Sequence, residues 1–315
     1  MRSPKLFTRG LLIALAGVTA LAACSSSKAK TAAAGGSATT AAPAGGGATG
    51  AAIPAASPDP AAQGQVPASL KSKGTLTVAM DATYAPDEFT APDGHTIIGM
   101  DVDLMQAVGQ VLGLKMSPVN ATFNTIIPGL LSGKFDVGAS SFTDTKDREK
   151  QLDFVTYFSS GEGFYVPANS SESFDGLDSL CGHKVSVESG TTEETDANSQ
   201  KQTCGTEGKP TVTVLSFQDQ NSANLAVSSG RAEAGFSDSQ VAAYIVQQSN
   251  GQFKLSGQPF ATAPYGIGVP KNGLAPALLA AIKDLMSSGI YTKILDKWGI
   301  ASGAITTPVI NGATS

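Results

Sequence analysis

Between Thr75 and Phe236 the chain runs twice through an alternation of strand and helix signals, and this alternation limits its fold more than any other feature. Thr75 to Met80 (TLTVAM) has strand character, and Met100 to Leu112 (MDVDLMQAVGQVL) is an amphipathic helix stopped by Gly113. Leu114 to Val119 reads as a strand, Phe123 to Leu131 as a helix containing Pro128, and Phe135 to Ala139 as a strand. The second series places strands at Lys184 to Val187, Thr211 to Phe217 and Glu233 to Phe236, with helices at Thr192 to Gln202 and Asn221 to Ser229. Each series is βαβαβ, the pattern of an open sheet flanked by helices, so the chain is α/β with two separate cores. Ala275 to Trp298 adds a long amphipathic segment divisible at Gly289, with Leu278, Ile282, Leu285, Ile290, Ile294, Leu295 and Trp298 on its apolar side.

The N-terminus carries a different signal. Arg2, Lys5 and Arg9 precede an uncharged apolar run from Leu11 to Ala23. The run is short of the roughly 20 residues a spanning helix needs and ends in small residues, so residues 1–23 read as a secretory signal peptide. Leu21-Ala22-Ala23-Cys24 resembles the cleavage box of bacterial lipoproteins, which implies a lipidated Cys24 as the first mature residue. The protein would then be extracytoplasmic, held at the cell membrane by lipid only; the other reading is an ordinary signal peptide with a chance cysteine. Residues 24–69 are almost wholly Ala, Gly, Ser, Thr and Pro and read as a flexible tether, and residues 302–315 as a disordered tail.

Of the three cysteines, Cys181 and Cys204 remain as an even pair in an exported, oxidising setting, which points to a disulfide over two reduced thiols. The two histidines, His95 and His183, lack ligand spacing, so no metal and no cofactor is expected. A net charge of -5 without a basic cluster argues against a nucleic-acid partner.

Six ordered blocks carry a resemblance that covers Leu70 to Gly299. They are Asp81-Ala-Thr-Tyr84-Ala-Pro86-Asp-Glu88-Phe89, Gly99-Met-Asp101-Val-Asp103-Leu104, Ser140-Ser-Phe-Thr143-Asp-Thr-Lys-Asp-Arg148, Gly190-Thr191-Thr192 with Glu193, Gly230-Arg231-Ala-Glu233-Ala with Asp238, and Gly289-Ile-Tyr291 through Lys297-Trp298-Gly299. In this order they resemble the extracellular solute-binding proteins of the polar amino-acid class, which serve ATP-binding-cassette (ABC) importers. The resemblance implies a type II clamshell, as in periplasmic binding proteins. Lobe one would comprise residues 70–160 plus 271–301 and lobe two residues 161–270, with both cysteines in lobe two. It also implies a monomer that takes a free amino acid and delivers it to an importer permease.

A free amino acid presents a carboxylate, an ammonium and a side chain, and burying any of them unpaired is costly. Arg148 is the candidate for the carboxylate, because a guanidinium offers a planar donor fork that lysine lacks. Read locally, it could equally be a solvated arginine in the charged stretch Lys146 to Lys150. Ser140, Ser141 and Thr143 are candidates to donate to the ligand from the same loop. Thr191 and Thr192 open a helix whose free amides favour an anion, although helix capping alone also explains them. Asp238 matches the family position that holds the ammonium. Tyr84 and Phe123 are expected to enclose the side chain and Asp81 to read its polar end, with the direction of Asp87 and Glu88 open.

These acidic residues favour a polar or basic amino acid. A sensor for a membrane receptor is the first alternative. An enzyme like the cyclohexadienyl dehydratases on the same fold is the second, but the chain has no GxSxG elbow or phosphate loop, so binding without chemistry is expected.

Overall fold

The computed structural model describes residues 53–314, so the expected signal peptide, Cys24 and most of the expected tether lie outside the described residues. The strands are β1 (Thr75–Met80), β2 (Thr83–Tyr84), β3 (Glu88–Thr90), β4 (Ile97–Ile98), β5 (Lys115–Asn120), β6 (Val137–Gly138), β7 (Leu152–Pro167), β8 (Lys184–Glu188), β9 (Thr213–Phe217), β10 (Ala234–Asp238) and β11 (Phe253–Pro270). The helices are α1 (Pro60–Gly64), α2 (Ala68–Lys73), α3 (Met100–Leu112), α4 (Ile126–Leu131), α5 (Lys146–Glu149), α6 (Thr192–Thr206), α7 (Gln220–Ser228), α8 (Ser239–Gln248), α9 (Ala275–Ser287) and α10 (Ile290–Trp298). Eight strands form one sheet in the order β5-β1-β6-β11-β7-β10-β8-β9, and β2, β3 and β4 form a small second sheet.

Two antiparallel strands unite the two βαβαβ series. The first part of β7 pairs with the last part of β11, from Leu152↔Pro270 to Phe158↔Tyr265. Their other ends pair from Phe164↔Ser256 to Pro167↔Phe253, and register shifts between Ser256 and Gly266 mark the crossing. On one side β1, β5 and β6 run parallel to one another, and on the other β8, β9 and β10 do the same. Parallel strands need crossovers, which α3 and α4 provide on the first side and α6 and α7 on the second.

Each side has its own apolar interior. Lobe one buries Val78, Leu104, Val108, Ile267, Val269, Leu278, Ile282 and Ile294 together. Lobe two buries Phe164, Phe174, Leu180, Val185, Val187 and Phe236 around the Cys181–Cys204 disulfide. Because Ile267 and Val269 belong to the first interior, the return crossing lies near Phe260–Pro264, before the boundary expected after residue 270.

Both chain ends depart from expectation. Residues 53–69 were expected to be tether, yet Ala56, Ala62, Val66 and Leu70 are buried against lobe one. Asp59 caps α1 by accepting from the Ala61 amide (2.8 Å), and its own amide donates to Val111 O (3.0 Å). Alanine-rich composition concealed this, since small side chains permit the close backbone approach that packing here uses. The expected disordered tail is also ordered. Val155 bridges Ile310 and Phe158 bridges Ala304 in antiparallel fashion, because in lobe one β7 has an edge that β10 does not reach.

Candidate ligand-binding site

The loops at the ends of β2, β6, β8 and β10 meet between the lobes. Tyr84, Phe123, Ser141, Thr143, Arg148, Thr191, Thr192, Glu193 and Asp238 line a cleft closed so tightly that its walls are in near contact. Tyr84 and Phe123 stack with centroids 6.3 Å apart.

Arg148 sits in α5, where Thr145 caps the helix by accepting from the Arg148 amide (3.2 Å). Its Nη1 donates to Thr143 O (2.7 Å), and its Nη2 reaches Gly190 O of the second lobe (3.0 Å). The guanidinium lies over the rings of Phe142 (4.8 Å) and Phe123 (5.3 Å). Burial lowers its pKa to about 10, opposed by Glu193 and Asp238, so it stays charged at neutral pH. A buried guanidinium with unused donors and a planar face on an aromatic floor suits a carboxylate.

The second lobe contributes the start of α6. Thr191 is its N-cap, accepting from the Glu194 amide (3.1 Å), and the Glu194 carboxylate accepts from the Gly190 amide (2.7 Å), a variant of the capping box. The Thr191 hydroxyl also donates to Glu188 O (2.8 Å), so capping occupies it and the Thr192 end of the helix faces the cleft. Asp238 ends β10 directly opposite Glu162 of β7. Burial first, then Glu193, holds its carboxyl well above the usual carboxylate range.

Ser140 and Ser141 part company. Ser140 is fully buried: its hydroxyl accepts from the Asp81 amide (2.8 Å) and donates to Glu88 (2.7 Å), which directs it into lobe one and away from the cleft. The Ser141 hydroxyl donates to Asp87 (2.8 Å), and its amide donates to Asp101 (2.9 Å) while its φ of 46° turns the chain toward the cleft. Glu88 therefore points into lobe one, and Asp87 is buried at the lobe interface. Asp87 also accepts from Gln240 Nε2 of the second lobe (2.7 Å).

Asp81 lies behind the aromatic wall. It accepts from the Phe123 amide (2.9 Å) and the Thr83 hydroxyl (2.7 Å). Its neighbour from the second lobe is Glu188, which the sequence reading left without a role. Glu188 is 1% exposed, and its carboxyl lies against Asp81 and Tyr84. Burial, then Asp81, pushes its pKa up to about 11. Burial likewise raises Asp81, only partly offset by its hydrogen bonds.

Beside Arg148 a cavity of about 410 Å³ opens, lined in part by Glu162, Thr192, Asp196 and Asp238. Burial, then Glu193 and Asp196, raises Glu162 to about 10. Glu162, Glu193 and Asp196, which line the cleft or its cavity, and Glu188 behind it were not among the sequence candidates. The only sequence signal was position, Glu188 ending a strand just before Gly190-Thr191-Thr192 and Glu193 following it. The site as a whole sets one guanidinium among many carboxylates, an arrangement that a cation would balance.

Comparison with known proteins identifies the family. Residues 76–301 match the model of the bacterial extracellular solute-binding proteins, family 3. The arginine-binding protein ArgT of Corynebacterium glutamicum is 35% identical over 256 residues, covering 81% of this chain and 84% of that protein. The ABC transporter glutamine-binding protein GlnH of Bacillus subtilis is 31% identical over 214 residues, covering 66% and 74%. An ancestral arginine-binding protein solved with arginine superimposes with a TM-score of 0.66 at 35% identity, covering 71% of this chain and 98% of that one. With its family model spanning both lobes and its strand order, the chain belongs to the bacterial extracellular solute-binding proteins, family 3.

Proposed function

We propose that this protein binds a free cationic L-amino acid, arginine foremost, by closing its lobes on it, and yields it to an ABC-type importer without altering it. The observation that carries the ligand class is Glu188, a buried carboxyl beside Asp81 behind the Tyr84–Phe123 wall, against which we place the ligand's side chain. A guanidinium or ammonium placed against this protonated carboxyl can ionise it and pair with it, which a neutral side chain cannot do. At the other end, Arg148 and the start of α6 receive the α-carboxylate, while Asp238 receives the α-ammonium. The corynebacterial relative and the ancestral protein, both named for arginine, support the same ligand. Lipidation at Cys24 would keep the protein beside its importer.

A thermal-shift screen of the standard amino acids with ornithine tests the reading. A ligand that binds only the folded state stabilises it by RT ln(1 + [L]/Kd), so arginine and lysine should raise the melting temperature most. A larger shift with glutamine or another neutral amino acid would overturn the cationic assignment. One solved neighbour, 31% identical with a TM-score of 0.65, is described as an ancestral amino-acid-binding protein, a precursor of cyclohexadienyl dehydratase. Recovery of unaltered arginine after prolonged incubation is therefore the companion test, and turnover of it or of a prephenate-like compound would replace pure binding with catalysis.

A further inference from the structure

The last residues of the chain form a strap along the outer edge of β7. Thr156 N donates to Val309 O (2.9 Å), Val309 N to the Thr156 hydroxyl (2.9 Å), and Asn311 N to Phe154 O (2.8 Å). Asn311 returns the contact through its side chain, accepting from Phe154 N (2.9 Å) and donating to Asp153 (3.1 Å). Nearer its start, Ile305 N donates to the Tyr291 hydroxyl (2.9 Å), which donates to Tyr157 O (2.8 Å). These partners all belong to lobe one.

Beyond Asn311 the strap leaves β7 and reaches the loop that carries Arg148. Gly312 N donates to Asp144 Oδ2 (2.7 Å), and Ala313 N donates to Glu149 Oε1 (3.0 Å). Asp144 directly follows Thr143, whose carbonyl holds the Arg148 guanidinium, and Glu149 directly follows Arg148 itself. The strap thus grips the loop at the residue after each member of the Thr143–Arg148 pair. Asp144 is fully buried and its amide donates to Pro264 O (2.8 Å), so the same residue links strap, loop and hinge strand β11. A Cβ at Gly312 would lie 2.7 Å from Val309 Cγ2 and 2.9 Å from Thr156 Cγ2, so one of these side chains would have to shift to admit it.

We infer that the C-terminal strap, Ala304 to Ala313, is a positioning element for ligand capture, holding the Thr143–Glu149 loop through Asp144 so that the Arg148 fork is set before the ligand arrives. The inference rests on the reading of Arg148 as the carboxylate partner. A group held in its bound geometry loses less freedom on binding, so a loosened loop weakens every ligand that uses the common α-carboxylate. The strap touches nothing at the side-chain end, so selectivity among amino acids should be untouched.

Calorimetric titration of arginine and lysine into the parent protein, Asp144→Ala, Asp144→Asn and a chain ending at Gly303 provides the test. Asp144→Ala and the shortened chain should weaken both ligands by about tenfold or more, in equal proportion. Asp144→Asn, whose amide oxygen can still accept from Gly312 N, should stay within about threefold of the parent. In an Arg148→Lys background, loss of the strap should add little, because the fork it positions is gone. Should the shortened chain fail to fold, Asp144→Ala alone decides. A lower melting temperature with unaltered affinity would make the strap merely structural and overturn the inference. Arginine affinity unchanged in Arg148→Ala would instead sink the carboxylate assignment beneath it.

Discussion

Arg148 of the first lobe donates through Nη2 to the carbonyl oxygen of Gly190 of the second, 3.0 Å away. The group proposed to hold the ligand's carboxylate is therefore also a cross-lobe tie. Two further ties, from the Gln220 amide to the Thr83 hydroxyl (3.1 Å) and from Gln240 to Asp87 (2.7 Å), lie away from the cleft lining. In the proposed capture, these ties would form one part of closure and the ligand the other.

Removing the fork should cost most. Arg148→Ala is expected to weaken arginine by about 2 to 5 kcal/mol, or roughly 30-fold to several thousand-fold, with the fold retained. Arg148→Lys keeps the charge but not the paired donors and should fall in between. Calorimetry with circular dichroism checks both, and near-parental affinity in Arg148→Ala would refute the role.

Substitution at the acidic end should act on selectivity. Glu188→Gln and Asp81→Asn are expected to weaken arginine about tenfold or more while changing glutamine little, since each removes charge opposite the side chain. Equal weakening of both ligands would place these residues at the wrong end. With its pKa near 11, Glu188 holds a proton at neutral pH until a cation ionises it. Arginine binding should therefore release protons, detectable by calorimetry in buffers of different ionisation enthalpy, and Glu188→Gln should reduce that release.

Stability of the ligand-free protein should fall as pH rises. Burial, reinforced at Asp87 by Asp101, raises Asp87 to about 7, and burial raises Asp101 to about 6 and Asp144 to about 7. In the unfolded chain these groups titrate near pH 4, so between about pH 4 and 7 the folded state binds more protons. Their contribution is complete below about pH 4 and is lost as pH climbs through about 6 to 7. The melting temperature should be lower at pH 8 than at pH 5.5, with a shallower slope in Asp87→Asn; a rise over this interval in the parent would contradict the assignment.

Gly99→Ala should be among the most damaging single changes outside the cleft. Gly99 has φ of 145°, and a Cβ there would sit 2.0 Å from Asp87 O. Its close approach lets Met100 N and Asp101 N donate to Pro86 O (3.1 Å) and Asp87 O (2.9 Å). Loss of this contact should cost about 2 kcal/mol or more in chemical denaturation. A change within about 0.5 kcal/mol would show that the turn can relax.

Where a local pattern governs, the sequence reading agrees closely with the structure. The helix expected over Met100 to Leu112 has those bounds, with Gly113 left-handed at its end, and Gly289 divides α9 from α10. Thr75 to Met80 forms β1 as read. The long strands β7 and β11 were not legible, because each passes through two environments and its apolar pattern changes where it crosses. Ser140 was assigned to the ligand from its motif, yet its hydroxyl serves Glu88, a direction that residue order cannot reveal.

The sequence by itself determined the two βαβαβ units, the family blocks and Arg148 as the carboxylate candidate, because periodicity and fork chemistry are local properties. Only the tertiary structure decided that Glu188 is buried beside Asp81, and that residues 312 and 313 clasp the Arg148 loop. Both facts depend on which groups distant in sequence are brought together away from water, and the free energy of a buried charge or an open strand edge depends on those neighbours.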